Sequence, residues 1–129
     1  MANAITTQVL FESTKRYFVK INILGDGSGE ETGTVLVDVS ALTPAASKVS
    51  LVHLQAAFIG FTAELLWDAT TDVRVLTIPE YWIDFNFHHA GGLDNNAGTG
   101  VTGDLLITTT GLGSGDSGFL VMEFDKTLA

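Results

Sequence analysis

The sequence predicts an all-β fold, a single-domain β-sandwich of jelly-roll-like type with eight or nine strands. Three observations predict it. Apolar and polar residues alternate with period 2 along most of the chain, turn chemistry recurs roughly every 8 to 12 residues, and almost nothing reads as helix. Several strands carry apolar residues on both faces, which favours a sandwich over a barrel and also suits an outer face covered by another subunit.

An N-terminal strand is expected at Ile5 to Phe11, within a segment 1–14 that reads as an arm or an edge strand. The sandwich itself then occupies 15–129. From Tyr17, Val19, Ile21 and Ile23 share one face while Phe18, Lys20 and Asn22 share the other, the alternation of a half-buried strand. Gly25 to Gly33 forms a loop. Thr34 to Val39 is rich in β-branched residues and places Val35, Val37 and Val39 together as a second strand, ended by a turn or short helix around Pro44. Lys48 to Ile59 is expected to be a strand with Val49, Leu51 and His53 alternating against Ser50, Val52 and Leu54, and Gly60 makes a turn or bulge. Phe61 to Trp67 and Val73 to Ile78 form a hairpin around the tight connection Asp68 to Asp72, with Ala63, Leu65 and Trp67 inward. Pro79 ends it. Tyr81 to Phe87 sets Ile83, Phe85 and Phe87 against Trp82, Asp84 and Asn86, and Asp104 to Thr110 and Phe119 to Asp125 complete the set.

The chain has 129 residues, 46% of them hydrophobic and 16% charged, which fits one domain burying roughly two-thirds of its unfolded surface. It has no cysteine, so neither a disulfide framework nor a thiolate site is available. The start MANAITTQVLFESTKR lacks the basic and apolar stretches of a signal peptide, so a soluble chain unprocessed by secretion is expected. The net charge is −9, and the one local basic group, Lys15, Arg16 and Lys20, reads as strand-edge protection, not a phosphate track. No nucleic-acid or membrane partner is expected.

Candidate chemistry is sparse. His88 and His89 beside Asp84 and Asp94 have metal-ligand types, but neighbours in an extended segment point to opposite faces, which favours polar interface residues. His53 lies isolated on an apolar strand and reads as a hydrogen-bonded or inter-subunit histidine. Asp26, Ser28, Glu30 and Glu31 have the alternating oxygens of a calcium loop but strand flanks, and a solvated hairpin tip is preferred. GTGVTGD and GLGSGDSG lack the phosphate-loop lysine and the strand-loop-helix setting, and Asp104 and Asp116 would repel phosphate. GDSG at Gly115 to Gly118 shares its letters with the nucleophile segment of trypsin-like proteases but lies too near the C-terminus. No catalytic residue, metal ligand or cofactor site is assigned. Trp67, Tyr81 and Trp82 could offer a sugar platform, against which an aromatic core or subunit contact is preferred, with Trp82 the more plausible interface residue.

Nine of the fourteen glycines fall between Gly91 and Gly118, around the apolar run Leu105 to Thr109. Three segments, ELLWDATTDVRVLTIPE (64–80), GGLDNNAGTGVTGDLLITTTG (91–111) and GDSGFLVMEFDK (115–126), together resemble a group of small structural proteins encoded by tailed bacteriophages. The resemblance covers the last half of the chain well and the first half by pattern, and the aromatic stretch Tyr81 to Ala90 departs from it. It implies a β-rich, non-enzymatic virion component, foremost a decoration or cement protein on the outer capsid surface with the major capsid protein as partner and a homotrimer or other homo-oligomer as its state. A head-to-tail or tail structural protein, or a virion carbohydrate-binding module for host adhesion, is the alternative. Candidate interface residues are Tyr81, Trp82, His88, His89, Leu93, Asn95 and Asn96, and Gly91 to Gly103 with Gly111 to Gly118 are expected to shape a rim that meets a neighbouring subunit.

Overall fold

Residues 3–128, which the computed structural model describes, form nine strands in two antiparallel sheets. The strands are β1 (Ala4–Glu12), β2 (Arg16–Leu24), β3 (Thr34–Val37), β4 (Ala46–Ile59), β5 (Thr62–Trp67), β6 (Val73–Ile78), β7 (Tyr81–Asn86), β8 (Leu105–Thr110) and β9 (Ser117–Leu128). One sheet runs β1-β2-β9-β4-β7 and the other β3-β8-β5-β6. Only β1–β2 and β5–β6 are hairpins; the other connections pass from one sheet to the other, the wrapping of a jelly roll. Val39–Ala41 and His88–Ala90 are single 3-10 turns, and no helix among the described residues is long and apolar enough to cross a membrane.

The alternation places Val19, Ile21 and Ile23 of β2 and Ala63, Leu65 and Trp67 of β5 in the core as expected. Leu120, Met122 and Phe124 of β9, Leu54, Ala56 and Phe58 of β4, and Leu105 and Ile107 of β8 join them there. All are buried, so apolar area removed from water at roughly 25 cal/mol per Å² drives the two sheets together.

Two β-bulges change the expected facing. Along β4 the register with β9 slips between Leu51 and His53, so Val52 is the extra residue. Val49 and Leu51 point inward, but beyond the bulge Leu54, Ala56 and Phe58 take the inner face and His53 turns outward, contrary to the simple alternation. A second slip, between Val35 and Val37, buries Leu36 and Val37 and leaves Val35 exposed. Val35, Val37 and Val39 therefore do not share a face.

Other expectations are corrected by topology. Lys15, Arg16 and Lys20 do not guard a sheet edge, because β1 pairs with β2 from Tyr17 to Leu24 and becomes the edge itself, while Lys15 lies in the turn between the two strands. Of the expected N-terminal segment, positions 1 and 2 lie outside the described residues, and Ala4–Glu12 takes the edge-strand alternative, not the arm. Gly25–Gly33 is not a hairpin tip; it carries the chain from one sheet to the other and its acids are engaged. The Glu30 carboxylate accepts from Gly111 N (2.9 Å), Leu112 N (3.1 Å) and Thr109 Oγ1 (2.8 Å). Asp26 accepts from Ser28 N (2.9 Å), and Glu31 from Asn3 Nδ2 (2.8 Å) and Thr34 Oγ1 (2.8 Å).

The glycine-rich segments have an internal task. Residues 91–103 lie against the β5–β6 turn: Thr70 N donates to Thr99 O (3.1 Å), Thr102 N to Asp68 O (3.2 Å) and Thr102 Oγ1 to Asp68 Oδ2 (2.8 Å). The DATTD and NNAGTGVTGD stretches are thus bound to each other. Gly100 (φ 81°) makes this approach possible, since a Cβ would lie 2.1 Å from Thr70 Oγ1, and Gly103 (φ 93°) lets the end of the segment lie on β4, where a Cβ would be 2.2 Å from Ser47 O.

Candidate functional site

The five-stranded sheet has one face in the core and one outside, and register fixes which side chains stand side by side on the outer face. Thr6, Asn22, Phe119, Ala57 and Trp82 form one cross-strand row over β1, β2, β9, β4 and β7. Next to it stand Gln8, Lys20, Val121, Gln55 and Asp84, and next again Phe11, Phe18, Glu123, His53 and Asn86. Leu24, Ser117 and Ile59 close the other side of the first row.

This face carries exposed apolar surface. Trp82 is 62% exposed, Ile59 67% and Leu24 52%. An open groove of about 540 Å³ is lined chiefly by Ala4, Leu24, Ala57, Ile59 and Phe119, and Trp82 stands next to its Ala57 in the cross-strand row. An acidic chain gains nothing in isolation from a contiguous apolar patch, and such patches rimmed by polar residues mark interaction sites. Trp82 follows Tyr81, which has φ 79° and is the one non-glycine residue with positive φ among those described. Left-handed backbone at a bulky residue is uncommon and strained, and here it opens the strand that presents the tryptophan. Glu80 fixes the same turn by accepting from Gly60 N (2.8 Å).

The polar rim is a linked set. His53 Nε2 lies 2.5 Å from Asp84 Oδ1 and Gln55 Nε2 donates to Asp84 Oδ2 (3.2 Å). These donors, the His53 ring first, hold the Asp84 carboxyl below the usual carboxylate range. The His53 and His88 rings meet edge to face at 6.4 Å, and Glu123 lies 3.8 Å from His88 Nε2 and 3.7 Å from Arg16 Nη1.

The structure separates the residues considered as a metal cluster. Asp84 turns to His53 and Gln55, Asp94 takes Ser50 Oγ (3.0 Å) and Lys48 Nζ (3.3 Å), and His88 approaches Glu123. No group of three or more ligating side chains is arranged to hold a metal among the described residues. His53 was without a carboxylate by local spacing because its partner comes from β7, 31 residues further on. The parity of polar residues in β4, Lys48 and Ser50 and then His53 and Gln55, is the signal that could have found the outward turn.

Of the candidate interface residues, Tyr81, Trp82, His88, His89 and Asn96 are exposed. Leu93 is half-buried: it pairs with Leu51 through two backbone hydrogen bonds (2.7 and 3.0 Å) and packs on the core. Asn95 is also half-buried, and its Oδ1 accepts from Ala97 N (3.0 Å). Trp67 is in the core, so it belongs to no aromatic platform with Tyr81 and Trp82.

No family model matches this sequence, and no curated protein matches it. Among solved structures the chain is similar to a carbohydrate binding module of family 29, with a TM-score of 0.42, 11% identity, and coverage of 97% of this chain and 90% of that one. It is also similar to a mutant of such a module complexed with cellulohexaose, with a TM-score of 0.41, 13% identity, and coverage of 96% and 92%.

Proposed function

We propose that this chain is a non-enzymatic binding domain that decorates a virion, its outer sheet face laid on the outside of the shell over contacts between major capsid protein subunits. The observation that supports it is the cross-strand row Phe119–Ala57–Trp82 with Leu24 and Ile59 beside it, an apolar strip inside a polar rim. That arrangement suits a protein partner, for which a desolvated aromatic centre supplies most of the binding energy and charged groups set the orientation. The net charge of −9 suits an external position, away from packaged nucleic acid. The motif segments 64–80, 91–111 and 115–126 direct the choice of a phage shell. Co-sedimentation of the purified chain with emptied shells tests it: the parent chain binds and Trp82→Ala binds at least about tenfold more weakly. Binding to tail fractions alone, or to neither, overturns the shell assignment.

A carbohydrate ligand is the second reading, favoured by the exposed Trp82 ring standing on one face with Asn22, Gln55 and Asp84 as hydrogen-bonding groups. Glycan-array binding that Trp82→Ala abolishes, without shell binding, would select it.

A further inference from the structure

β1 contributes little to the core and yet is held firmly. Only Ile5 and Glu12 of its nine residues are even partly buried, and Val9, Leu10 and Phe11 are 51%, 47% and 55% exposed. At one end Asn3 donates to Gly29 O (2.9 Å) and Glu31 Oε2 (2.8 Å) and accepts from Asp26 N (3.1 Å). At the other, Glu12 accepts from Lys126 Nζ (3.2 Å) and Thr43 N (2.8 Å). β2 occupies one side of the strand, so the backbone groups directed to the other side have no strand to pair with.

The four sheet edges differ. β3 has four residues, while β6 and β7 have six each and carry Arg74 and Asp84. β1 has nine residues, no proline, and no charge from Ala4 to Phe11. Its one device against edge pairing is a bulge at Leu10, where the register with β2 slips between Val9 and Phe11; charge and proline are absent, and in a chain of net charge −9 it is an uncharged line along which two copies can approach.

We infer that β1 pairs antiparallel with β1 of a second copy, about a two-fold axis at Gln8, so that the two five-stranded sheets continue as one. The occupant is a second copy because the edge is complementary to itself. Antiparallel pairing about Gln8 sets Thr7 opposite Val9, places the bulged Leu10 across from Thr6, and leaves the two Glu12 carboxylates at the far ends, where they do not meet. The pairing uses the free edge of each copy at once, so it closes at two and does not propagate. Both ends of β1 are already fixed, which lowers the ordering cost of the new ladder. This ladder runs along the backbone edge of the sheet, at the β1 margin of the outer face, where Thr6 and Gln8 stand.

Light scattering coupled to size exclusion tests the inference on the full chain at about 100 μM, with Gln8→Lys and Gln8→Glu beside the parent. The parent should run at twice the chain mass. Each variant alone sets like charges opposite each other at the axis and should dimerise at least about tenfold more weakly, whereas an equimolar mixture should recover the dimer. Unchanged far-UV circular dichroism verifies that the variants fold. A monomeric parent, an oligomer other than two, single variants that dimerise like the parent, or a mixture that stays monomeric would each overturn the inference.

Discussion

Lys126 is buried along its entire side chain, and its ammonium meets the Glu12 carboxylate at 3.2 Å, joining the end of β9 to the end of β1. The ammonium also donates to Ser13 O (3.0 Å). The pair fixes the first strand to the rim of the core, beside Tyr17, whose hydroxyl is pushed up by burial and by the nearby Glu12 charge. Glu12→Ala leaves a buried cation with a single carbonyl acceptor and should cost about 3 kcal/mol in urea unfolding. Lys126→Met removes the charge and keeps the apolar stem, and should cost about 1 kcal/mol. Equal losses would mean that the buried charge carries no penalty.

The acid response separates two kinds of carboxyl. Asp26, Glu30, Asp84 and Asp94 have lowered values because protein donors favour their ionised forms. Their stabilisation is present above the unfolded values of roughly 4 and is lost as pH falls through the lower folded values. Asp104 is the reverse: desolvation first, then the charges of Asp38 and Asp68, raise it, although Val39 N donates to it. Its favourable contribution exists below the unfolded value and is lost as pH rises through the folded one.

Melting temperatures of two variants across pH should therefore diverge. Glu30→Gln should melt below the parent at pH 7, and the gap should close as the parent's Glu30 is protonated. Asp104→Asn keeps an oxygen for Val39 N and should melt above the parent at pH 7, with that gain also vanishing in acid. A gap that does not change with pH would contradict the assignment for that residue.

Residues 91–103 meet their neighbours through backbone that no side chain fits, Gly100 against Thr70 of the β5–β6 turn and Gly103 against Ser47 of β4. Gly103→Ala forces a Cβ onto Ser47 O at positive φ and should destabilise by about 3 kcal/mol. Gly98, with φ outside the left-handed region and nothing near its hydrogen, should accept alanine at about 0.5 kcal/mol or less. Chemical denaturation of the two variants compares them directly.

The strands were legible in the sequence because side-chain facing has period 2, and β2, β5 and β9 keep that period without interruption on their core faces. The bulges at Val52 and Leu36 were not, because an extra residue shows in a single sequence only as a change of parity, which Lys48, Ser50, His53 and Gln55 display once it is sought. Pairing order was equally hidden: nothing local to Lys15, Arg16 and Lys20 says that β1 will cover them. The outer face is assembled from five strands distant in the chain, so Trp82 could be singled out by its type but Phe119, Ala57 and Leu24 could not be joined to it.

Trp82 also reports on its own surface. With Trp67 buried and Trp82 exposed, a Trp67→Phe chain should fluoresce like a hydrated indole, and docking of a partner on the outer face should shift that emission to the blue. Emission unchanged by a bound partner would move the contact elsewhere.

The most direct test of the proposed decoration role is a cryo-EM map of phage shells mixed with this chain. The sandwich should lie on the outside of the shell over a joint between capsid subunits, with Trp82, Phe119 and Ile59 turned toward it and residues 91–103 braced on their own hairpin. Density confined to the tail or to the interior, or a shell contact made by the β3-β8-β5-β6 sheet with Trp82 facing solvent, would contradict it.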